Sequence, residues 1–173
     1  MTQLSYQPAF DPFNAVFRGL QITQGLEGSV SFDAFRICDF FLAFPFFMAG
    51  TENRYKKGHQ WLRSVGRKYA DRKPYGKIPD RKLLFQRVLP FQVAAISSLA
   101  KNELIDHDAW VGGEVKRTDK QVPCALLKRI ELENERNGDL VRAIRTLIAE
   151  YDLQGENGLK HRTGLLEYRY DAT

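Results

Sequence analysis

Cysteine is scarce in this 173-residue chain, which holds two, Cys38 and Cys124. They stand far apart and in no C-x-x-C pair, so neither a disulfide framework nor a thiolate metal site is indicated, and both thiols are expected to be reduced and buried. Long apolar runs are missing too. The longest, Phe40 to Ala49, is interrupted by Pro45, whereas a bilayer-spanning helix needs roughly 20 apolar residues. It reads as a buried segment. Met1 to Phe10 has neither a basic nor an apolar stretch, so no signal peptide is expected and a cytoplasmic location is. Histidine is rare, and His59, His107 and His161 stand alone. No G-x-x-x-x-G-K-[ST] loop, G-x-S-x-G elbow or H-E-x-x-H pair occurs, which excludes the familiar signatures of phosphate cradling, serine hydrolysis and zinc proteolysis. Gly25 and Gly28 lack the preceding strand and third glycine of a dinucleotide fingerprint. No cofactor or metal is called for, and no enzyme activity is expected.

What the chain does have is a local excess of positive charge. The formal net charge is +5. Between Arg54 and Arg87 lie twelve basic residues and two acidic ones, Asp71 and Asp80, giving +10 there and leaving −5 for the remainder. Clustered cations suit an anion, because neutralised phosphates release counterions. Arg54, Lys56, Lys57, Arg63, Arg67, Lys68, Arg72, Lys73, Lys77, Arg81 and Lys82 are therefore the candidate contacts to DNA or to an acidic protein partner. A solvated face is the plainer reading of the same residues. Tyr55, Trp61, Tyr69, Tyr75 and Phe85 interleave with them, as base stacking would need; the spacing of Trp61, Leu62, Val65 and Tyr69 equally describes a packed helix face.

The pattern along the chain is mainly helical. Asp11-Pro12 starts a helix carrying Phe13, Val16, Phe17 and Leu20 at helical spacing. Ser31 starts a second helix, apolar on nearly all sides and so central, which Pro45 ends or kinks. A helix is expected over 59–70, flanked by loops at 50–58 and 71–81, and another from Asp80 to Asn102 with a break at Pro90. Ala109-Trp110-Val111 alternates like a strand, and Gly112-Gly113 suits a wing turn with Val115 to Thr118 returning. Pro123 opens a helix to Glu135, Asn137-Gly138-Asp139 breaks it, and an amphipathic helix follows from Asp139. Leu165 to Tyr170 alternates as a final strand. The expected fold is thus mainly α with small β wings, winged-helix-like. Residues 1–105 form a helical core with a basic insert at 54–82, and residues 106–173 add wing strands, two helices and a C-terminal strand packed onto it.

One acidic constellation invites a catalytic reading. Asp106 and Asp108 precede Glu114-Val115-Lys116, a D…E-x-K arrangement in which Mg²⁺-dependent nucleases neutralise a scissile phosphate. The pattern is short and recurs by chance, and exposed wing charges explain it better.

Three segments carry a family resemblance: Pro8 to Arg18 (PAFDPFNAVFR), Phe35 to Pro45 (FRICDFFLAFP) and Leu89 to Ala100 (LPFQVAAISSLA). In this order they resemble the small middle component of bacterial three-component ABC-ATPase systems, including Lamassu-type defence systems against phage and plasmids. The resemblance implies a non-catalytic bridge between an SMC-like ABC ATPase and an effector such as a nuclease, with double-stranded DNA contacted through the complex and no membrane involved. A free-standing winged-helix regulator and the Mg²⁺ nuclease are the alternatives.

Overall fold

Two polar side chains set the first helices. The Asp11 carboxylate accepts from the backbone N–H groups of Phe13 and Asn14 at 2.8 and 3.0 Å, and α1 (Pro12–Thr23) begins there with proline at its first position. The Ser31 hydroxyl accepts from the Ala34 N–H at 3.3 Å and starts α2 (Phe32–Ala43). Between them runs β1 (Ser29–Ser31). The computed structural model describes residues 7–74 and 77–166, so Tyr75 and most of the strand expected at Leu165–Tyr170 lie outside the described residues.

A 3-10 turn (Pro45–Ala49) ends α2. There follow α3 (Trp61–Lys68), α4 (Arg81–Arg87), α5 (Leu89–Lys101), α6 (His107–Val111), β2 (Glu114–Lys116), α7 (Cys124–Arg136), α8 (Gly138–Glu150) and α9 (Leu159–Thr163). The helix expected from Asp80 is divided at Val88, where Pro90 falls in the first turn of α5 and its missing N–H costs nothing. Arg81–Lys101 as a whole is long and apolar enough to cross a membrane by length and composition, but 44% of that window is buried in the fold. Gln92, in its middle, is hydrogen-bonded to α2.

α2 is the central element, with every residue from Ala34 to Phe41 buried. The ring of Phe40, fully enclosed, lies 5.2 to 6.0 Å from those of Phe41, Phe44, Phe47 and Phe85. α1 packs on α5, and α8 packs on α2 and α3, so elements from both sides of residue 105 share one core. Burial pushes the Cys38 thiol far up, and the neighbouring Asp39 charge adds to it, leaving an inert thiol. Cys124 is exposed, not buried as expected, because it opens α7 where the first turn faces solvent.

The core also encloses charge. Asp39, 1% exposed, accepts from Arg18 Nε at 2.7 Å, from the Arg18 terminal nitrogen at 3.3 Å and from Gln92 Nε2 at 2.8 Å. Arg36, on the same helix, donates to Gln92 Oε1 at 3.1 Å and lies 4.3 Å over the Phe85 ring. One polar cluster therefore pins α1 and α5 to α2.

Among the described residues the fold is mainly helical with one small two-stranded antiparallel sheet. Ser29, Val30 and Ser31 of β1 face Lys116, Val115 and Glu114 of β2. The wing differs from expectation. Ala109 to Val111 form the helix α6 and not a strand, because the Asp106 carboxylate accepts from the Ala109 N–H at 2.8 Å and nucleates a turn. That turn stops at Gly112 and at Gly113, whose φ of 82° suits glycine. The chain then returns as β2, and Arg117 bridges to Ile105 in antiparallel sense. α9 follows α8, and Leu165 and Leu166 are buried bends; the rest of the expected final strand lies outside the described residues.

Candidate functional site

The basic segment separates into cations that build the fold and cations that face solvent. Arg81 is 8% exposed. Its guanidinium reaches Glu52 Oε1 at 2.6 Å, Asn53 Oδ1 at 3.1 Å and the Thr163 carbonyl at 2.6 Å. It ties the 50–56 loop to α4 and α9 and is unavailable as a surface contact, which corrects its place among the candidates. Burial pushes the Glu52 carboxyl up, but the hydrogen bond and charge of Arg81 prevail and hold it below its ordinary value. Arg63 donates to the Asn53 carbonyl at 2.6 Å. Lys56 lies 4.5 Å over the Tyr151 ring and donates to the Glu150 carbonyl. Lys68 pairs with Asp139 and, through that hydrogen bond and charge, holds its carboxyl below the ordinary range. Arg72 lies 4.5 Å over the Tyr69 ring and donates to Asn137 Oδ1 at 3.2 Å. Lys82 is half-buried. Arg54, Lys57, Arg67, Lys73 and Lys77 are exposed, with no ion-pair partner among the described residues. Trp61 and Tyr69 pack half-buried against the core, as their spacing indicates.

Among the described residues, the candidate reactive side chains do not converge. Asp106 is engaged as the α6 cap, and Asp108 is fully exposed beside His107 at 3.7 Å. Glu114 and Lys116 sit on β2 opposite Ser31 and Ser29. Among the described residues no group of three or more His, Cys, Asp or Glu side chains gathers where a metal could be held. His59 has partners that the sequence does not announce: Nδ1 is 2.9 Å from the Tyr151 hydroxyl and Nε2 is 3.1 Å from Glu150. The Tyr151 oxygen already accepts from the Lys56 N–H at 3.0 Å. Its proton is therefore best placed toward Nδ1, leaving the Nε2 proton for Glu150. Tyr151 is 5% exposed, and burial raises its phenol, so the chain of bonds fastens the end of α8 to the 56–59 loop and offers no reachable nucleophile.

A large concavity lies elsewhere, between α1, the end of α2 and α7. It measures about 1160 Å³. Leu20, Leu140, Phe44 and Phe46 are buried at its floor. Phe13, one of the apolar residues at helical spacing on α1, stands 85% exposed on one wall, and Leu132 is 49% exposed on the other. Gln21 Nε2 donates to Asn134 Oδ1 at 2.9 Å where α1 and α7 meet. Four arginines line the groove; Arg18 is paired with Asp39, which leaves the guanidiniums of Arg72, Arg129 and Arg136, and Arg129 is 6.0 Å from the Phe17 ring. Its two lining carboxylates are engaged: Asp11 caps α1, and Glu133 accepts from Asn137 Nδ2 at 2.7 Å. Sequence reasoning missed this site because a helix period reports which residues share a face and not whether that face is covered.

No curated protein and no solved structure matches the chain. A family model does, over residues 4–171, nearly the whole length. The chain belongs to the family described as ABC-three component (ABC-3C) system Middle Component 5.

Proposed function

We propose that this middle component is a non-catalytic, cytoplasmic adaptor in a Lamassu-type defence complex, linking an SMC-like ABC ATPase to its effector. The observation that carries the reading is the division of its side chains. Several charged side chains are held in structural pairs, such as Arg18–Asp39 and His59–Glu150. What remains open is an apolar groove edged by guanidiniums, the composition of a docking surface. Connectivity supports kinship with winged-helix accessory subunits. β1 lies between α1 and α2, and β2 pairs with β1 on one side while its continuation bridges to Ile105 after α5 on the other. Co-expression with the ATPase and effector components, followed by mass measurement, tests the adaptor role. A stable complex of fixed stoichiometry is expected, and recovery of the chain only as a free species refutes it.

Contact with DNA through the assembled complex is a second reading, favoured by the exposed Lys57, Arg67, Lys73 and Lys77. The outer face of α5 is a poor alternative, because Pro90, Val93, Ala94, Ser97 and Ser98 are all uncharged. Reversing Arg67, Lys73 and Lys77 to glutamate is expected to flatten the slope of log affinity against log salt by about 2–3 for the complex on duplex DNA. An unchanged slope, or no duplex binding at low salt, removes this contact.

A further inference from the structure

We infer that the groove between α1 and α7 receives an amphipathic α-helix of a partner component, with carboxylates flanking its apolar stripe; this rests on the adaptor reading and specifies the chemistry of its contact. Size comes first. At about 1160 Å³ the groove exceeds the roughly 300–1,000 Å³ of ordinary small-molecule sites. It suits a stretch of polypeptide.

The walls select the kind of polypeptide. They are helices whose backbone groups are bonded internally, so no strand edge is available for β-augmentation, and an inserted helix meets them through side chains alone. Phe13 and Phe17, four residues apart on α1 and so on one helix face, line one wall, and Leu132 lies on the other. Such a cleft takes apolar anchors at i, i+3 or i+4, and i+7 of its occupant. An 85% exposed phenylalanine and a 49% exposed leucine facing one cleft also gain more from coverage than isolated surface residues do.

Charge decides the rest. Arg129 lies 6.0 Å from the Phe17 ring, and Arg136 has Glu133 at 4.0 Å while its side chain remains 67% exposed. Arg72, at the end of the groove, contacts Tyr69 and Asn137, both uncharged. Apart from the 4.0 Å approach of Glu133 to Arg136, the groove's carboxylates do not face its guanidiniums, so an acidic occupant supplies the complementary charge, and bidentate carboxylate pairing is what guanidiniums do best. A second copy docking the same face would oppose Arg129 and Arg136 to themselves, as a two-fold interface places like patches together. That argues for a different chain.

The test uses the full chain co-expressed with the ATPase and effector components of its system. Two paired variants are compared, Phe13→Ser with Leu132→Ser, and Arg129→Glu with Arg136→Glu; all four positions are exposed, so the thermal midpoint of the free chain should hold. Each pair is expected to weaken retention in the complex by about tenfold or more, and the arginine effect should shrink at high salt. A photo-crosslinking residue in place of Phe13 should join an acidic helical segment of a partner, and it reports even if a paired variant folds poorly. Crosslinks to this chain's own ends, to a second copy or to nucleic acid overturn the assignment, as does retention within about twofold of the parent for both pairs. In those cases the adaptor reading survives, provided the parent complex forms. If the unaltered chain joins neither component, the adaptor reading itself falls and the groove assignment with it.

Discussion

Asp39→Ala is expected to remove about 3–5 kcal/mol of folding stability, read as a shift of the urea midpoint at unchanged slope. The figure follows from what the substitution leaves behind. Asp39 is 1% exposed and Arg18 7% exposed, and the pair is joined at 2.7 Å. Without the carboxylate the Arg18 guanidinium is an uncompensated cation inside a phenylalanine-rich core, and Gln92 loses an acceptor. Domains hold only about 5–15 kcal/mol in all, so the loss is a large share. Removing both charges together is a different experiment. Arg18→Met with Asp39→Leu replaces the pair by apolar volume and is expected to recover most of the loss, since a buried ion pair is weakly stabilising relative to well-packed hydrophobes. An Asp39→Ala protein within about 1 kcal/mol of the parent, or a double variant less stable than the single, would show that the cation reaches water by another route.

Arg18 and Asp39 also show where sequence reading stops. The starts at Asp11-Pro12 and Ser31, the buried second helix and the break at Asn137 are all local patterns, and each appears in the structure. Buried charge is not local. Arg18 falls at helical spacing from Ala15 and Ile22, on the face that turns inward, yet a cation there makes sense only once its partner 21 residues away is in place. The same holds for Arg81, counted with an exposed patch until Glu52, Asn53 and Thr163 close around it. For Ala109–Val111 the alternation was a β signal of three residues, and the capping reach of Asp106 outweighed it. That signal was legible, since a carboxylate three residues ahead of the bonded N–H is the ordinary helix start. The pairing of β1 with β2 joins two three-residue strands far apart in the chain, too short to advertise a register.

Gly66→Ala sets local propensity against tertiary packing, and packing is expected to win by about 1–3 kcal/mol or more. On an exposed helix the same change would stabilise, because alanine is the better helix former by about 1 kcal/mol. Gly66 is buried within α3, and a Cβ there would lie 2.4 Å from the Ala49 backbone nitrogen and 2.9 Å from the Met48 carbonyl carbon. Those neighbours are backbone atoms of the 3-10 turn that ends α2, so no rotamer change relieves the clash, and α3 must move off the turn. Movement would loosen Leu62 and Val65, both buried on α3. Gly138→Ala is the internal control: nothing stands within 4 Å of its Cβ position at the start of α8. There the outcome should be neutral or stabilising by about 0.4–1 kcal/mol, mostly through a less flexible unfolded chain. Chemical denaturation of the two variants beside the parent decides the matter. Opposite signs support the close seating of α3 on residues 45–49, and a Gly66→Ala protein as stable as the Gly138→Ala protein would mean that the two segments do not touch as described.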